Sequence, residues 1–213
     1  MLDRALRPVK EVILQPCLGF IPASLSPMSI TYLGFAIGLS SPLFACLGSD
    51  RLALIAWLLN RLLDGLDGTV ARLRSRQTSW GGFMDIVCDF TIYTLLPIGI
   101  AYSPSAPLPN ETMLPLALLL GSFHINNVIL FYLASAVPPT TTVKEMTSLQ
   151  MIPALIEGSE SFCFFTIMIL CPSWFKEIAY GMSVLVGINI LQRSLLARDV
   201  MGKMVDREKK KET

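Results

Sequence analysis

The chain has a single histidine, His124, and its five cysteines (Cys17, Cys46, Cys88, Cys163 and Cys171) include no C-x-x-C pair. Neither a structural zinc site nor a disulfide framework is expected from that set. Charge is scarce too. Asp, Glu, Lys and Arg make up 15% of the residues, against about 25% in soluble globular chains. Nor is there an excess of one sign, since 17 Lys and Arg face 16 Asp and Glu. A net charge of +1 gives no pointer to nucleic acid. Internal repeats and low-complexity blocks are missing, which removes solenoid and linker architectures. What is plentiful is apolar surface: 53% of the 213 residues are hydrophobic and mean hydropathy is +0.58. A soluble single domain of this length cannot cover so much, and a disordered chain would not carry it. The composition is that of a membrane protein.

Crossing about 30 Å of hydrocarbon takes roughly 20 apolar residues as helix. The sequence predicts an all-α bundle of six transmembrane helices, with spans near 28–48, 52–72, 80–102, 113–137, 151–171 and 177–197. Polar or proline-containing stretches such as SPSAPLPNET and VPPTTTVKEMTS separate them. Ahead of the first span, Arg4, Arg7 and Lys10 interleave with Leu2, Leu6, Val9, Val12 and Ile13 before Pro16 and Pro22 break the run. That pattern predicts an amphipathic helix on the membrane surface, and no secretory signal. The expected organisation is an amphipathic segment over 1–25, a membrane domain over 26–200 and a basic tail over 201–213.

Six spans place both termini on one side. Arg4, Arg7, Lys10, Arg72, Arg74, Arg76, Lys144 and the seven basic residues from Arg193 onward fall there, whereas only Arg51 and Lys176 fall opposite. The positive-inside rule makes the first side cytoplasmic. The tail MVDREKKKET reads as a topology determinant that also touches anionic lipid. No targeting segment distinguishes a bacterial plasma membrane from the endoplasmic reticulum.

Charges inside apolar spans are where chemistry is sought, because each costs about 2.5–3.5 kcal/mol at mid-helix. The second and third spans carry four aspartates, Asp64, Asp67, Asp85 and Asp89. Spacings of three and four put each pair on one helix face. Asp67 and Asp85 lie equally far from the connecting loop near Arg76, and Asp64 and Asp89 lie one turn further out. An antiparallel hairpin would bring the four carboxylates together as two facing pairs. At 1.5 Å per residue, Asp64 sits about 12 Å deeper than Arg72. Carboxylates converging in a low dielectric repel unless cations hold them, and oxygen donors in this number suit Mg²⁺ or Mn²⁺. Two such ions about 3.5–4 Å apart are a device for phosphoryl chemistry. The alternative, aspartates merely paired with Arg61, Arg72 and Arg74, leaves the matched depth unexplained. Gly65, Gly68, Gly81 and Gly82 strip side chains from the same region, which lets a phosphate-bearing ligand approach the backbone, and Arg72 offers a bidentate fork.

Residues 64–89 read DGLDGTVARLRSRQTSWGGFMDIVCD. The segment resembles the signature of the CDP-alcohol phosphotransferase (CDP-alcohol phosphatidyltransferase) family, D-x2-D-G-x2-A-R-x8-G-x3-D-x3-D, with every fixed position filled. The six-span layout and amphipathic N-terminus resemble that family as well. The resemblance implies transfer of a phosphatidyl or other substituted-phosphate group from a CDP-linked donor, CDP-diacylglycerol, to a small alcohol acceptor, with release of CMP. It implies Asp64, Asp67, Asp85 and Asp89 as metal ligands and Asp89 also as the general base. Gly68, Ala71, Arg72 and Gly81 become contacts to the cytidine diphosphate, with two Mg²⁺ or Mn²⁺ ions per site and a homodimeric assembly. Pro27-Met28-Ser29-Ile30-Thr31 resembles the family's lead-in to the first span, with Met28 in place of the usual asparagine. Gly34 stands where members making phosphatidylglycerol phosphate often have arginine, so the chain looks more like the inositol-phosphate or choline/ethanolamine branches.

Candidates for the acceptor pocket are the polar residues of the later spans: His124, Asn126, Asn127, Glu157, Ser159, Glu160, Asn189 and Arg193. Helix–helix hydrogen bonding is the other use for such residues. Two rival classes share part of the pattern. An intramembrane Mg²⁺-dependent prenyltransferase also clusters aspartates but lacks the glycine-rich arrangement. A non-enzymatic divalent-cation carrier would need acidic residues reaching the far side, where these spans are almost uncharged.

Overall fold

Capping residues mark where the helices begin. Ser26 accepts a hydrogen bond from Ser29 N at 3.1 Å, with Pro27 filling the first helical position, and Thr78 accepts from Gly81 N at 3.0 Å. The computed structural model describes residues 22, 25–136 and 158–212. Among them it forms α1 (Pro27–Cys46), α2 (Asp50–Leu73), α3 (Ser79–Ala101), α4 (Pro109–Ala136), α5 (Gly158–Leu170), a 3₁₀ turn (Pro172–Trp174) and α6 (Phe175–Glu212). No strand occurs among the described residues. The amphipathic segment expected over 1–25 lies outside them apart from Pro22 and Leu25, as do Lys144 and Glu157.

The regular structure of the described residues is helical throughout, as expected, and the helix positions follow the apolar runs. Four segments, Pro27–Cys46, Ser79–Ala101, Pro109–Ser135 and Pro172–Arg198, are long and apolar enough to cross a membrane. The other two differ for separate reasons. At 24 residues α2 is long enough, but it carries Asp50, Arg51, Arg61, Asp64, Asp67 and Arg72. The described part of α5 covers 13 residues, against the expected span from 151. Beyond the expected sixth span, α6 continues without a break into the basic tail, to Glu212. Helix formers dominate that stretch, so nothing local stops the helix.

Packing is organised by α1. Its buried residues are Ile30, Gly34, Gly38, Ser41, Pro42 and Ala45, and all but Ile30 are small or ring-bearing. Such a face lets backbones approach closely, as membrane helix pairs require. α1 packs along both α2 and α3. Ser41 Oγ donates to Ala53 O of α2 at 2.8 Å, and a Cβ added at Gly38 would lie 2.7 Å from Asn60 Nδ2. At the α1–α3 crossing a Cβ on Gly99 would lie 2.3 Å from the Pro42 carbonyl oxygen. That obstacle is backbone, which cannot swing aside. Gly99→Val is therefore expected to cost about 3 kcal/mol, read as a lowered thermal midpoint of the detergent-purified protein.

By contrast α2 and α3 scarcely approach each other backbone to backbone, although only five residues connect them. The expected hairpin of two packed helices is thus corrected: α1 serves as the common neighbour, and side chains bridge the space between α2 and α3. On the far side of the bundle, α4 pairs with α6, while α5 packs against α2 and α3. The core runs through Trp57, Ile92, Leu96, Leu119, Phe165, Met168 and Met182. Trp57 stacks on Phe162 at 5.9 Å between ring centroids, and its Nε1 donates to Thr166 Oγ1 at 3.0 Å. The polar handle of a fully buried tryptophan is thereby satisfied.

Candidate active site

Both ends of the loop that joins α2 to α3 are fixed. At the end of α2, Ser75 adopts a left-handed backbone (φ 53°) and Arg76 N returns to Ala71 O at 2.9 Å. Arg74 Nη1 donates to Leu25 O at 2.9 Å, which ties this turn to the start of α1. The last three turns of α2 and the first three of α3 therefore face one another at a set distance, and they carry the signature.

All four aspartates share one electrostatic neighbourhood. Each of the six pairs among Asp64, Asp67, Asp85 and Asp89 interacts. Asp67 is buried at 5% exposure and accepts a hydrogen bond from the Thr31 hydroxyl of α1, which donates to its Oδ2. Asp89 Oδ1 accepts from Arg61 Nη2 at 2.6 Å, and Asp64 Oδ2 lies 3.7 Å from Arg61 Nη1. Asp85 is exposed and feels the charges of Arg61 and Arg72. Among the described residues no three Asp, Glu, His or Cys side chains are arranged, as they stand, to hold a metal ion. The donor set itself is all carboxylate, which is the chemistry a hard divalent ion requires.

Of the residues expected at the nucleotide, Gly68, Ala71 and Arg72 line the last turns of α2, and Gly81 lies in the first turn of α3. A Cβ on Gly68 would come 3.2 Å from Arg72 Nη1, so the glycine leaves room for that guanidinium. Arg72 Nη2 donates to Thr69 Oγ1 at 3.3 Å. The N–H of Gly81 is committed to the Thr78 cap. What Gly81 offers a ligand is its missing side chain.

Of the residues considered for the acceptor pocket, Arg193 of α6 and Asn126 of α4 meet through Arg193 Nη1 and Asn126 Oδ1 at 2.8 Å. Asn189 and Arg193 are buried, whereas His124 is exposed on the outside of α4. Residues that sequence reasoning left out of the site are Thr31, Asn60 and Tyr93, while Arg61 was counted only as a pairing partner. An arginine three residues before the first aspartate, in the middle of an apolar span, was the available signal.

Comparison with known proteins decides the family. The CDP-alcohol phosphatidyltransferase family model matches residues 24–189. The chain belongs to the CDP-alcohol phosphatidyltransferase family. Over 180 residues it is 36% identical to the inner membrane protein YnjF of Escherichia coli K12, covering 82% of this chain and 84% of that one. Its fold matches two crystal structures of Mycobacterium tuberculosis phosphatidylinositol phosphate synthase. The one with CDP-DAG bound aligns with a TM-score of 0.65 at 17% identity, over 87% of this chain and 92% of the other. The one in complex with manganese and citrate aligns at 0.63 and 18% identity, over 86% of each chain. This CDP-alcohol phosphatidyltransferase is thus a membrane-embedded enzyme, and all eight fixed signature positions lie inside the matched region.

Proposed function

We propose that the enzyme transfers a phosphatidyl group from a CDP-linked lipid, CDP-diacylglycerol, to the hydroxyl of a small alcohol and releases CMP. The observation that carries this reading is the convergence of Asp64, Asp67, Asp85 and Asp89, from two helices, beside the glycine-lined turns of Gly68 and Gly81. In this reading the diphosphate enters between the two helices, which meet through side chains and not through backbone. The solved relative with CDP-DAG bound supports the donor, and the one with manganese supports a divalent ion.

In this reading Asp64, Asp67, Asp85 and Asp89 hold two Mg²⁺ or Mn²⁺ ions. When bound, the ions neutralise the diphosphate and polarise the phosphorus that is transferred. Gly68, Ala71 and Gly81 admit the cytidine diphosphate, and Arg72 presents N–H donors to its oxygens. Asp89 accepts the proton of the acceptor hydroxyl. The hydroxyl oxygen then bonds to the phosphorus bearing the lipid, the bond from that phosphorus to the CMP oxygen breaks, and CMP departs as an anion. Asn126, Asn189 and Arg193 supply the acceptor pocket. A guanidinium held in a polar niche suits an acceptor that itself bears phosphate.

The distribution of Lys and Arg supports six crossings with both termini and the catalytic slot on the cytoplasmic face of a bacterial plasma membrane or the endoplasmic reticulum. The inner-membrane relative favours the former. Homodimeric assembly, which the family resemblance implies, is part of the same proposal. No observation favours the prenyltransferase or the cation carrier.

Gly34 also bears on the acceptor. A Cβ there would lie 3.1 Å from Leu63 Cβ, and the Gly34 carbonyl accepts from Asn60 Nδ2 at 2.9 Å. Any side chain added there would press on Leu63, and the absence of arginine at this position is in keeping with an acceptor other than glycerol 3-phosphate. The test is radiolabelled phosphatidyl transfer from CDP-diacylglycerol with Mn²⁺ or Mg²⁺, across glycerol 3-phosphate, inositol, inositol phosphate, serine and phosphatidylglycerol. A single metal-dependent lipid product, with CMP released alongside, is expected. No product from any acceptor would refute CDP-diacylglycerol as donor, and CMP released instead from a CDP-alcohol plus diacylglycerol would move the enzyme to the choline/ethanolamine type.

A further inference from the structure

Arg61 is held on every side. Its Nε and Nη2 donate to Asn60 Oδ1 at 2.9 and 2.7 Å, Nη2 also donates to Asp89 Oδ1 at 2.6 Å, and Nη1 donates to Tyr93 OH at 3.1 Å. The guanidinium lies 5.0 Å from the Trp57 ring centroid and 5.2 Å from that of Tyr93. Asn60 is in turn fixed: it is 4% exposed, its Nδ2 donates to the Gly34 carbonyl, and Gly38 leaves no space beside it. The acceptor Gly34 O dictates the amide orientation, so Asn60 Oδ1 must face Arg61.

We infer that Arg61 is a positioning residue that divides the two oxygens of Asp89, holding Oδ1 on its guanidinium and leaving Oδ2 alone to face the metal and the acceptor hydroxyl. A strut thus runs from the α1 backbone through Asn60 and Arg61 to Asp89. Because five polar and aromatic groups hold the guanidinium, it stays in place when the aspartates bind cations. Its charge then stands against the incoming ions, so the strut sacrifices metal affinity for a fixed carboxylate. This inference rests on the proposed reaction for the role of Oδ2.

The test uses the full chain in detergent. Free Mn²⁺ is titrated by electron paramagnetic resonance, and CMP release is followed in parallel, for wild type, Arg61→Gln and Arg61→Lys. Arg61→Gln is expected to bind Mn²⁺ about tenfold more tightly, having lost the like charge and freed Oδ1, while saturated turnover falls about 10²-fold. Arg61→Lys keeps the charge and loses the planar fork. Its Mn²⁺ affinity is expected to stay within about threefold of wild type, with turnover at least about tenfold lower and KM for the CDP-lipid unchanged. Mn²⁺ affinity weakened or unmoved in Arg61→Gln, or wild-type turnover in Arg61→Lys, would overturn the inference. Should Arg61→Gln not fold, the isocharged Arg61→Lys decides alone. If wild type releases no CMP from any CDP-lipid, the proposed reaction falls, and the Mn²⁺ titration still decides what Arg61 does to the cluster.

Discussion

Asp89→Asn is expected to lower CMP release by about 10³-fold or more while the protein still purifies as a folded membrane bundle. The two halves of that expectation have different causes. Asparagine keeps an oxygen where Arg61 Nη2 now meets Asp89 Oδ1 at 2.6 Å, so the bridge from α2 to α3 survives with a neutral acceptor. Asp89 is half-buried and belongs to no apolar core, so its replacement leaves no cavity. The amide, however, cannot take a proton from the acceptor alcohol, and it removes one negative charge from the carboxylate cluster proposed to hold the cations. The measurement is CMP release at saturating donor and acceptor, beside the thermal midpoint. Retained turnover in a folded variant would remove Asp89 from the role of base.

Withdrawal of divalent ions is expected to be as severe. Chelation should bring CMP release to background, and Mn²⁺ or Mg²⁺ should restore it. Asp67→Ala should raise the Mn²⁺ concentration needed for half-maximal rate by at least about 10-fold. Asp67 is the most buried of the quartet at 5% exposure, and Thr31 already orients it, so little of its geometry has to be assembled on binding. Activity that persists in excess chelator would show that the carboxylates serve some end other than cation binding. Calcium is a useful control, because its larger radius and looser coordination suit a site shaped for octahedral ions poorly.

Much of this was legible in the amino-acid sequence, for identifiable reasons. Helices α1, α3 and α4 follow continuous apolar runs that lipid demands. The aspartates declare themselves because carboxylates are costly in that setting, and because spacings of three and four give each pair one face. Less legible was the relation between α2 and α3. A five-residue link suggests a packed hairpin, yet Gly34, Gly38 and Pro42, each four residues apart on α1, offer a smoother surface than either helix offers the other. Close approach to α1 wins for both, and α2 and α3 meet through side chains and not through backbone. The strut was hidden for a similar reason. Arg61 finds its main acid 28 residues away on another helix, a distance that no helical periodicity encodes. The sixth span is expected to end near 197, and α6 runs past it. Charge ends a membrane span, while the backbone of MVDREKKKE continues as helix to Glu212.

The most direct test of the central claim, that these four aspartates share divalent cations between α2 and α3, is anomalous diffraction at the manganese edge from crystals of the full chain grown with Mn²⁺. Anomalous density within about 2.1–2.3 Å of oxygens of Asp64, Asp67, Asp85 and Asp89 is expected, with two peaks about 3.5–4 Å apart. Manganese bound elsewhere, with no anomalous density beside these four carboxylates, would contradict it.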